Sequence, residues 1–251
     1  MFKTSNIEVV DSPHPMTVGG TKPIWWADAS DDTSYTITGS GVSEARCKAG
    51  SGIVFSQGTD ANRPTNGDTI NGRKVWTLDG TSQFLATAAN VPALSPENFT
   101  FFAVFQVSGA VSYKYLFSTP DIRYPWTATS GWNLYTDAGA HSWAVQMGGG
   151  AITYLTGAAF SVDTTVILTI RHDDTDKGWL YKDGTQSDYD ASVPLDTNNT
   201  TGRVAAIGCQ ADGGGSFFNG KMCEIGMLSA LQNYQHTNLV RYCANKWGAT
   251  V

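Results

Sequence analysis

The sequence predicts an all-β chain, a two-sheet antiparallel jelly-roll sandwich closed by one C-terminal α-helix. Three observations predict it. Short apolar runs, many with period-two alternation, are separated by Asn-Gly and Asp-Gly turn dipeptides along most of the chain. Glycine numbers 27 and charged residues are only 15% of 251, which suits many short strands and tight turns rather than a helical bundle or a disordered chain. Apolar residues at helical spacing stand out near the C-terminal end. A chain of this length can bury a sizeable core. No repeat, heptad or linker follows residue 23, so residues 23–251 read as one jelly-roll domain.

Residues 1–22 are polar, are punctuated by Pro13, Pro15 and Gly19-Gly20, and read as an extended N-terminal arm. Two readings of the arm stand together. It is a disordered leader, or it is an anchor that docks on a neighbouring subunit by strand addition through Ile7, Val9 and Val10. The first residues lack the apolar stretch of a secretory signal. The domain opens at Pro23-Ile24-Trp25-Trp26-Ala27-Asp28-Ala29-Ser30-Asp31, where Trp25 or Trp26 supplies core area and the Asp and Ser side chains build a local turn. A loop-rich region with Asn71-Gly72 follows. Val75 to Thr81 then reads as a strand ending on Asp79-Gly80, and Phe84-Leu85-Ala86-Thr87 as its hairpin partner.

Phe99 to Val107 is apolar on both faces, the mark of a central strand, and Val166 to Ile170 is a second such run. Tyr115-Leu116-Phe117 is a shorter strand between them. Trp179 to Thr185 is a hairpin with Asp183-Gly184 at its tip. Asn219-Gly220 reads as a turn before the strand Lys221 to Leu228, in which Cys223, Ile225 and Met227 share a face by period two. Leu231, Tyr234, Leu239, Val240, Cys243 and Trp247 then recur at helical spacing. Lys246 suits the dipole of the last turn and Gly248 the position past it.

Phe218-Asn219-Gly220, the strand with its central Glu224, and the closing Tyr242-Cys243-Ala244-Asn245-Lys246-Trp247-Gly248 resemble the laminin-G-like, concanavalin A-type jelly rolls. These are common in bacteriophage virion proteins and bacterial surface proteins. Trp25-Trp26-Ala27-Asp28-Ala29-Ser30-Asp31 and Leu78-Asp79-Gly80-Thr81 carry the same resemblance, which covers the first third, parts of the middle and the final third. One departure is Cys243, where the family usually has an aliphatic residue.

The chemistry the sequence excludes narrows the function. A retaining glycosidase needs two carboxylates about 5–5.5 Å apart. The chain has four glutamates (Glu8, Glu44, Glu97, Glu224), none of which begins the Glu-x-Asp pattern of laminarinase-like jelly rolls. Glu224 stands alone on its strand and reads as an orienting residue, with an Asp pair from separate strands as the residual route to catalysis. No G-x-S-x-G elbow occurs, no nucleotide-binding glycine pattern follows a strand, and the four histidines (His14, His141, His172, His236) are scattered and read as surface residues. The expectation is no enzyme and no organic cofactor. A net charge of −6 with no basic cluster argues against nucleic acid, and no apolar run reaches the ~18–20 residues of a membrane helix. The four cysteines read as buried thiols, with a Cys209–Cys223 disulfide as the alternative.

Calcium is the one ion to consider, because the resemblance implies a rim site. Asp173, Asp174 and Asp176 form the densest acidic cluster, which ordinary turn chemistry also accounts for. The middle segment, Asp121 to Leu155, departs most from the family and is rich in aromatics, so recognition is expected there. Arg123, Tyr124, Trp126, Trp132, Asn133 and Trp143 are the candidate glycan contacts, with rings for stacking and polar groups for orientation. For Trp132 and Trp143, a place in the core is an equal alternative. The resemblance implies a virion surface protein, either capsid decoration, head fibre or tail adhesin. It would be made in the host cytoplasm, held to other virion proteins through residues 1–22, and present in multiple copies or as a homo-oligomer. The alternative is a free, lectin-like glycan-binding module, and a glycoside hydrolase stands third.

Overall fold

The computed structural model describes residues 14–18, 20, 22–89, 91–109, 113–119, 131–136, 142–148, 152–195, 204–211 and 215–251, with 142–148, 152 and 158 by backbone alone. Strands in chain order are β1 (Trp25–Asp28), β2 (Tyr35–Thr38), β3 (Gly41–Arg46), β4 (Val54–Ser56), β5 (Thr69–Ile70) and β6 (Arg73–Lys74). Next come β7 (Trp76–Asp79), β8 (Leu85–Thr87), β9 (Phe99–Val107), β10 (Tyr115–Ser118), β11 (Trp132–Thr136) and β12 (Ser142–Gly148). The last are β13 (Ile152–Ala159), β14 (Val166–His172), β15 (Gly178–Lys182), β16 (Thr185–Asp190), β17 (Ala206–Ile207) and β18 (Asn219–Ser229). A helical turn, α1 (Pro15–Val18), precedes them, and α2 (Asn233–Trp247) follows.

Two antiparallel sheets form the sandwich. A seven-stranded sheet runs β1-β18-β9-β14-β15-β16, with β7 also paired to β18. A nine-stranded sheet runs β13-β12-β11-β10-β17-β8-β4-β3-β2. The sequence expectation of a jelly roll with one C-terminal helix holds.

β9 shows why a strand can be apolar on both faces. Phe99, Phe101, Ala103, Phe105 and Val107 point into the sandwich core, while Phe102 and Val104 point outward into a second apolar layer. Helix α2 covers that layer with Leu239, Val240, Cys243 and Trp247. The helix is seated by a capping box between Gln232 and Gln235 and stopped by Gly248 at φ 71°. Tyr234 is not part of the buried stripe. It is 67% exposed, and His236 takes the inward position.

Strand β18 corrects the period-two reading. A bulge between Met222 and Glu224 adds one residue, so Met222, Ile225 and Met227 face the sandwich while Cys223 faces α2. Asn219 and Gly220 do not turn but open this strand, where the missing Cβ of Gly220 leaves room for the Gln106 carbonyl. The expected hairpin of β7 and β8 is also absent. β7 joins the seven-stranded sheet and β8 the nine-stranded one. The Asp79 carboxylate gathers the N–H groups of Thr81, Ser82 and Gln83, which makes a corner between sheets rather than a two-residue turn. The hairpin of β15 and β16 forms as expected, with Asp183 and Gly184 both at positive φ.

The N-terminal arm, so far as it is described, is not extended. Residues 15–18 form a helical turn whose Val18 is buried in the layer under α2. Ile7, Val9 and Val10 lie outside the described residues. His172 and His236 are buried rather than on the surface. The His172 ring is held by the carbonyls of Glu97 and Val193, and His236 by Thr169. No disulfide joins the four cysteines, so Cys209 and Cys223 do not pair.

Candidate functional site

Two places gather side chains whose arrangement asks for an explanation. The first lies between β1, β18 and α2. Asp28 and Glu224 are cross-strand partners in the β1/β18 ladder. Trp26 and Asp28 share the face toward α2 because Trp25 and Ala27 fill the sandwich core. Glu224 is fully buried, and its carboxylate accepts four hydrogen bonds. The Trp26 indole N–H and the Tyr242 hydroxyl donate to Oε1 at 2.7 and 2.9 Å. The Trp247 indole N–H and the Lys246 ammonium donate to Oε2 at 2.8 and 2.9 Å. Lys246 Nζ also lies 2.6 Å from Asp28 Oδ2, and Lys48 Nζ lies 3.0 Å from the same oxygen and 2.6 Å from Asp31 Oδ2.

Burial pushes the Glu224 carboxyl up, and the Lys246 ammonium acts against it. Burial pushes Asp28 up too, yet Lys246 and Lys48 outweigh it and hold Asp28 below the usual carboxylate range. Lys48 is raised, because the two aspartates outweigh its burial. Every contact to Glu224 is a donor, an arrangement that favours the carboxylate form against burial and fixes the side chain in place. A cleft of about 660 Å³ adjoins the cluster, lined in part by His14, Met16, Asp31, Arg73 and Asn245.

A carboxylate pair from separate strands therefore exists, contrary to the reading of Glu224 as lacking a partner. It is not a glycosidase pair. Both carboxylates hold one lysine, and Glu224 has no exposed atom to protonate a leaving group or attack a sugar. The arrangement fastens α2 to the sheet.

The second place is the outer face of the nine-stranded sheet. Trp132 and Leu134 on β11 point into the sandwich, so Tyr135 points out. Its cross-strand partner Tyr115 on β10 stacks on it at 5.3 Å between ring centroids. Tyr113 also stacks on Tyr135, at 6.4 Å between ring centroids. Tyr154 on β13 points out as well, because its neighbour Leu155 is in the core. Tyr115 and Tyr135 are buried and form the floor, while Tyr113 and Tyr154 are 45% and 44% exposed. Burial raises the Tyr115 phenol well above its ordinary value, and Tyr154 and Tyr113 add to the rise. Burial and Tyr113 raise Tyr154.

Tyr113 stands at φ 53°, a left-handed conformation that costs a bulky residue energy. The surroundings hold it there. The Tyr113 N–H donates to the Thr136 carbonyl at 2.8 Å, Thr136 N–H returns a bond to the Lys114 carbonyl, and Lys114 N–H donates to Thr136 Oγ1. The face combines stacked rings with partly exposed tyrosines, equipment for packing on a sugar ring and bonding its hydroxyls.

The residues expected to contact a glycan fare as follows. Arg123, Tyr124 and Trp126 lie outside the described residues. Trp132 takes the core position that is the alternative to a glycan contact. It is completely buried against Phe99, Phe101 and Phe117, and its indole N–H donates to the Leu94 carbonyl. Asn133 lies on the tyrosine side of β11 but is fully buried, so it cannot meet a ligand from solvent as the strand stands. Trp143 pairs with Thr136 across β11 and β12. Asp173, named as a calcium candidate, uses one carboxylate oxygen on the Thr175 N–H and hydroxyl and the Lys177 N–H, a self-contained turn. Asp176 lies in that turn at φ 57°, Asp174 is exposed on it, and no group of three possible metal ligands forms among the described residues. Tyr113 and Tyr115 lie outside the Asp121 to Leu155 segment to which the sequence points, and Tyr135 and Tyr154 lie inside it among its aromatics.

The sequence matches no family profile and no curated protein. Solved structures do match in fold. Domain 4 of AbnA, a GH43 extracellular arabinanase from Geobacillus stearothermophilus, solved in complex with arabinotriose, aligns with TM-score 0.58 at 15% identity. That alignment covers 87% of this chain and 98% of the domain. The binding domain of botulinum neurotoxin serotype G aligns with TM-score 0.60 at 10% identity, covering 91% of this chain and 54% of that one. The binding domain of Paraclostridial Mosquitocidal Protein 1 aligns with TM-score 0.61 at 11% identity, covering 90% and 55%. The chain thus spans about half the length of the two toxin domains and nearly all of the arabinanase domain. By strand order, packing and these likenesses, the chain has a concanavalin A-like β-sandwich fold with a helix fastened to its seven-stranded sheet.

Proposed function

We propose that this chain is a non-catalytic glycan-binding module whose binding face is the tyrosine cluster on the nine-stranded sheet. The observation that carries the reading is two exposed rings on one sheet face, Tyr113 stacked on the buried Tyr115–Tyr135 pair and Tyr154 on β13, with Tyr113 held in a strained backbone conformation. Strain of this kind persists where the surroundings enforce it, and it concentrates at binding sites. The arabinotriose complex of a structural neighbour supports a saccharide as the ligand class. The locking of Asp28 and Glu224 by Lys246 supports a role without hydrolysis. The virion-surface role and the anchoring of residues 1–22 to other virion proteins draw no support from these neighbours.

A glycan array tests the proposal. The full-length chain is expected to retain a defined set of glycans, and the double variant Tyr113→Ala/Tyr154→Ala to lose them while keeping the wild-type unfolding temperature to within a few degrees. An array on which the wild type retains nothing, or on which the double variant matches it, contradicts the proposal.

A further inference from the structure

The opposite side of the sandwich carries an aromatic row that the proposed binding face does not use. Arg171 on β14, Trp179 on β15 and Tyr189 on β16 are cross-strand partners in one line. Their inward neighbours Ile170 and Leu180 fill the core, so the row stands on the outer face of the seven-stranded sheet. The Trp179 and Tyr189 rings are 5.4 Å apart and inclined by 34°, and the Arg171 guanidinium lies 5.5 Å from the Trp179 ring centre. Tyr189 is 42% exposed. Helix α2 touches the Arg171 end of the row through Asn233, but Trp179 and Tyr189 lie outside the apolar layer it covers. The apolar layer beneath the helix takes residues from β1, β9, β14 and β18, and among the described residues none from β15 or β16.

Arg171 is fixed in place and electrically unbalanced. Its guanidinium donates to the Leu231 carbonyl at 2.7 Å, to Asn233 Oδ1 at 2.8 Å and to the Tyr181 hydroxyl at 3.5 Å, all neutral oxygens. Those bonds use three of its five N–H donors. Its Nε is buried without a partner, and among the described residues no carboxylate lies within ion-pair distance of it. Lys246 and Lys48, by contrast, are both matched by aspartates. A guanidinium already fixed by hydrogen bonds, with charge to spare, beside two partly exposed rings, is complementary to a ring that carries a negative group.

We infer that the Arg171–Trp179–Tyr189 row is a second binding surface, and that its ligand is a pyranose bearing a carboxylate. The sugar ring packs on Trp179 and Tyr189, and its carboxylate faces the Arg171 guanidinium. The chain as a whole carries a net charge of −6, so it repels polyanions in general and binding of this kind requires a local cation.

The test is titration calorimetry of the full-length chain with two carboxylated probes, tetragalacturonate and sialyllactose, each beside a neutral counterpart, methyl-esterified tetragalacturonate and lactose. At least one carboxylated probe is expected to bind ten-fold or more tightly than its counterpart, and which one binds identifies a uronic or a sialic acid as the source. Tyr189→Ala, an exposed substitution with little effect on folding, weakens that binding at least five-fold. Arg171→Met, which keeps a long side chain on Trp179, removes the preference for the charged probe. Tyr234→Ala, at an exposed tyrosine outside the row, leaves it unchanged. Failure of both carboxylated probes to bind overturns the inference, as does equal binding of their neutral counterparts. Acidic-probe binding that follows Tyr154→Ala and ignores Tyr189→Ala also overturns it, and would assign those sugars to the tyrosine face instead.

Discussion

Asp28 and Glu224 face each other across the first and the penultimate secondary-structure elements of the sandwich domain, and a single ammonium, Lys246 Nζ, lies 2.6 Å from one and 2.9 Å from the other. The contact joins the two ends of the domain in sequence. It also explains why a fully buried glutamate is tolerable: its carboxylate is saturated by donors from Trp26, Tyr242, Lys246 and Trp247.

Removing that cation should therefore be severe. Lys246→Met leaves two buried carboxylates facing each other, a change that costs about 3–5 kcal/mol where a buried pair is broken. Urea unfolding at pH 7 should show a loss of that size, and part of it should return as the pH is lowered and one carboxylate takes a proton. A loss below about 1 kcal/mol, typical of exposed pairs, would mean the cluster is not the clamp described.

Acid should weaken the fold through His236. Burial first, and the Arg171 charge second, lower this imidazole from 6.5 to about 4. A group whose folded value is depressed contributes stability above its unfolded value, and that stability is lost as the pH falls toward the folded one. The window is thus pH 6.5 down to about 4, with a loss of about 3 kcal/mol across it. His236→Gln should flatten the stability curve in that window. Below it, Asp31 contributes a second loss. Burial raises this carboxyl, but Lys48 and Thr33 outweigh burial and bring it to about 2, so its share disappears between the ordinary carboxylate range and that value.

Gly226 offers a test of the packing between β1, β18 and β9. A Cβ there would stand 2.7 Å from the Phe102 ring and 3.0 Å from the Trp25 carbonyl. Gly226→Ala should cost about 1–3 kcal/mol by overpacking, read as a lowered unfolding midpoint with an unchanged denaturant slope.

Tyr113 separates stability from binding. At φ 53° a glycine is unstrained, so Tyr113→Gly should match or exceed the wild type by about 1 kcal/mol in unfolding. The same variant should lose glycan retention. A variant that retains glycans as well as the wild type does would remove Tyr113 from the binding face.

The parts of the fold that depend on local pattern were legible. The apolar runs at Phe99 to Val107 and Val166 to Ile170 became central strands, and the helical spacing before Gly248 became α2. The parts that depend on long-range register were not. One bulged residue moved Cys223 to the opposite face from the one its spacing predicts, and nothing in the sequence announces a bulge. Asp79-Gly80 has the signature of a tight hairpin, but its carboxylate organises a wider corner that sends the chain into the other sheet. The tyrosine face is assembled from β10, β11, β13 and the residues before β10, so its members are adjacent only once the sheet forms. Trp132 looked like its neighbours in composition, and only the alternation with Tyr135 places it in the core.

The most direct measurement is an NMR titration of the full-length chain, with tyrosine rings selectively labelled and the tightest glycan from the array as titrant. Saturable shifts are expected at the Tyr113 and Tyr154 ring signals, and none at Tyr234, which is more open to solvent but lies on α2. Shifts confined to tyrosines outside the cluster, or a glycan that binds without moving Tyr113 and Tyr154, would contradict the proposed binding face.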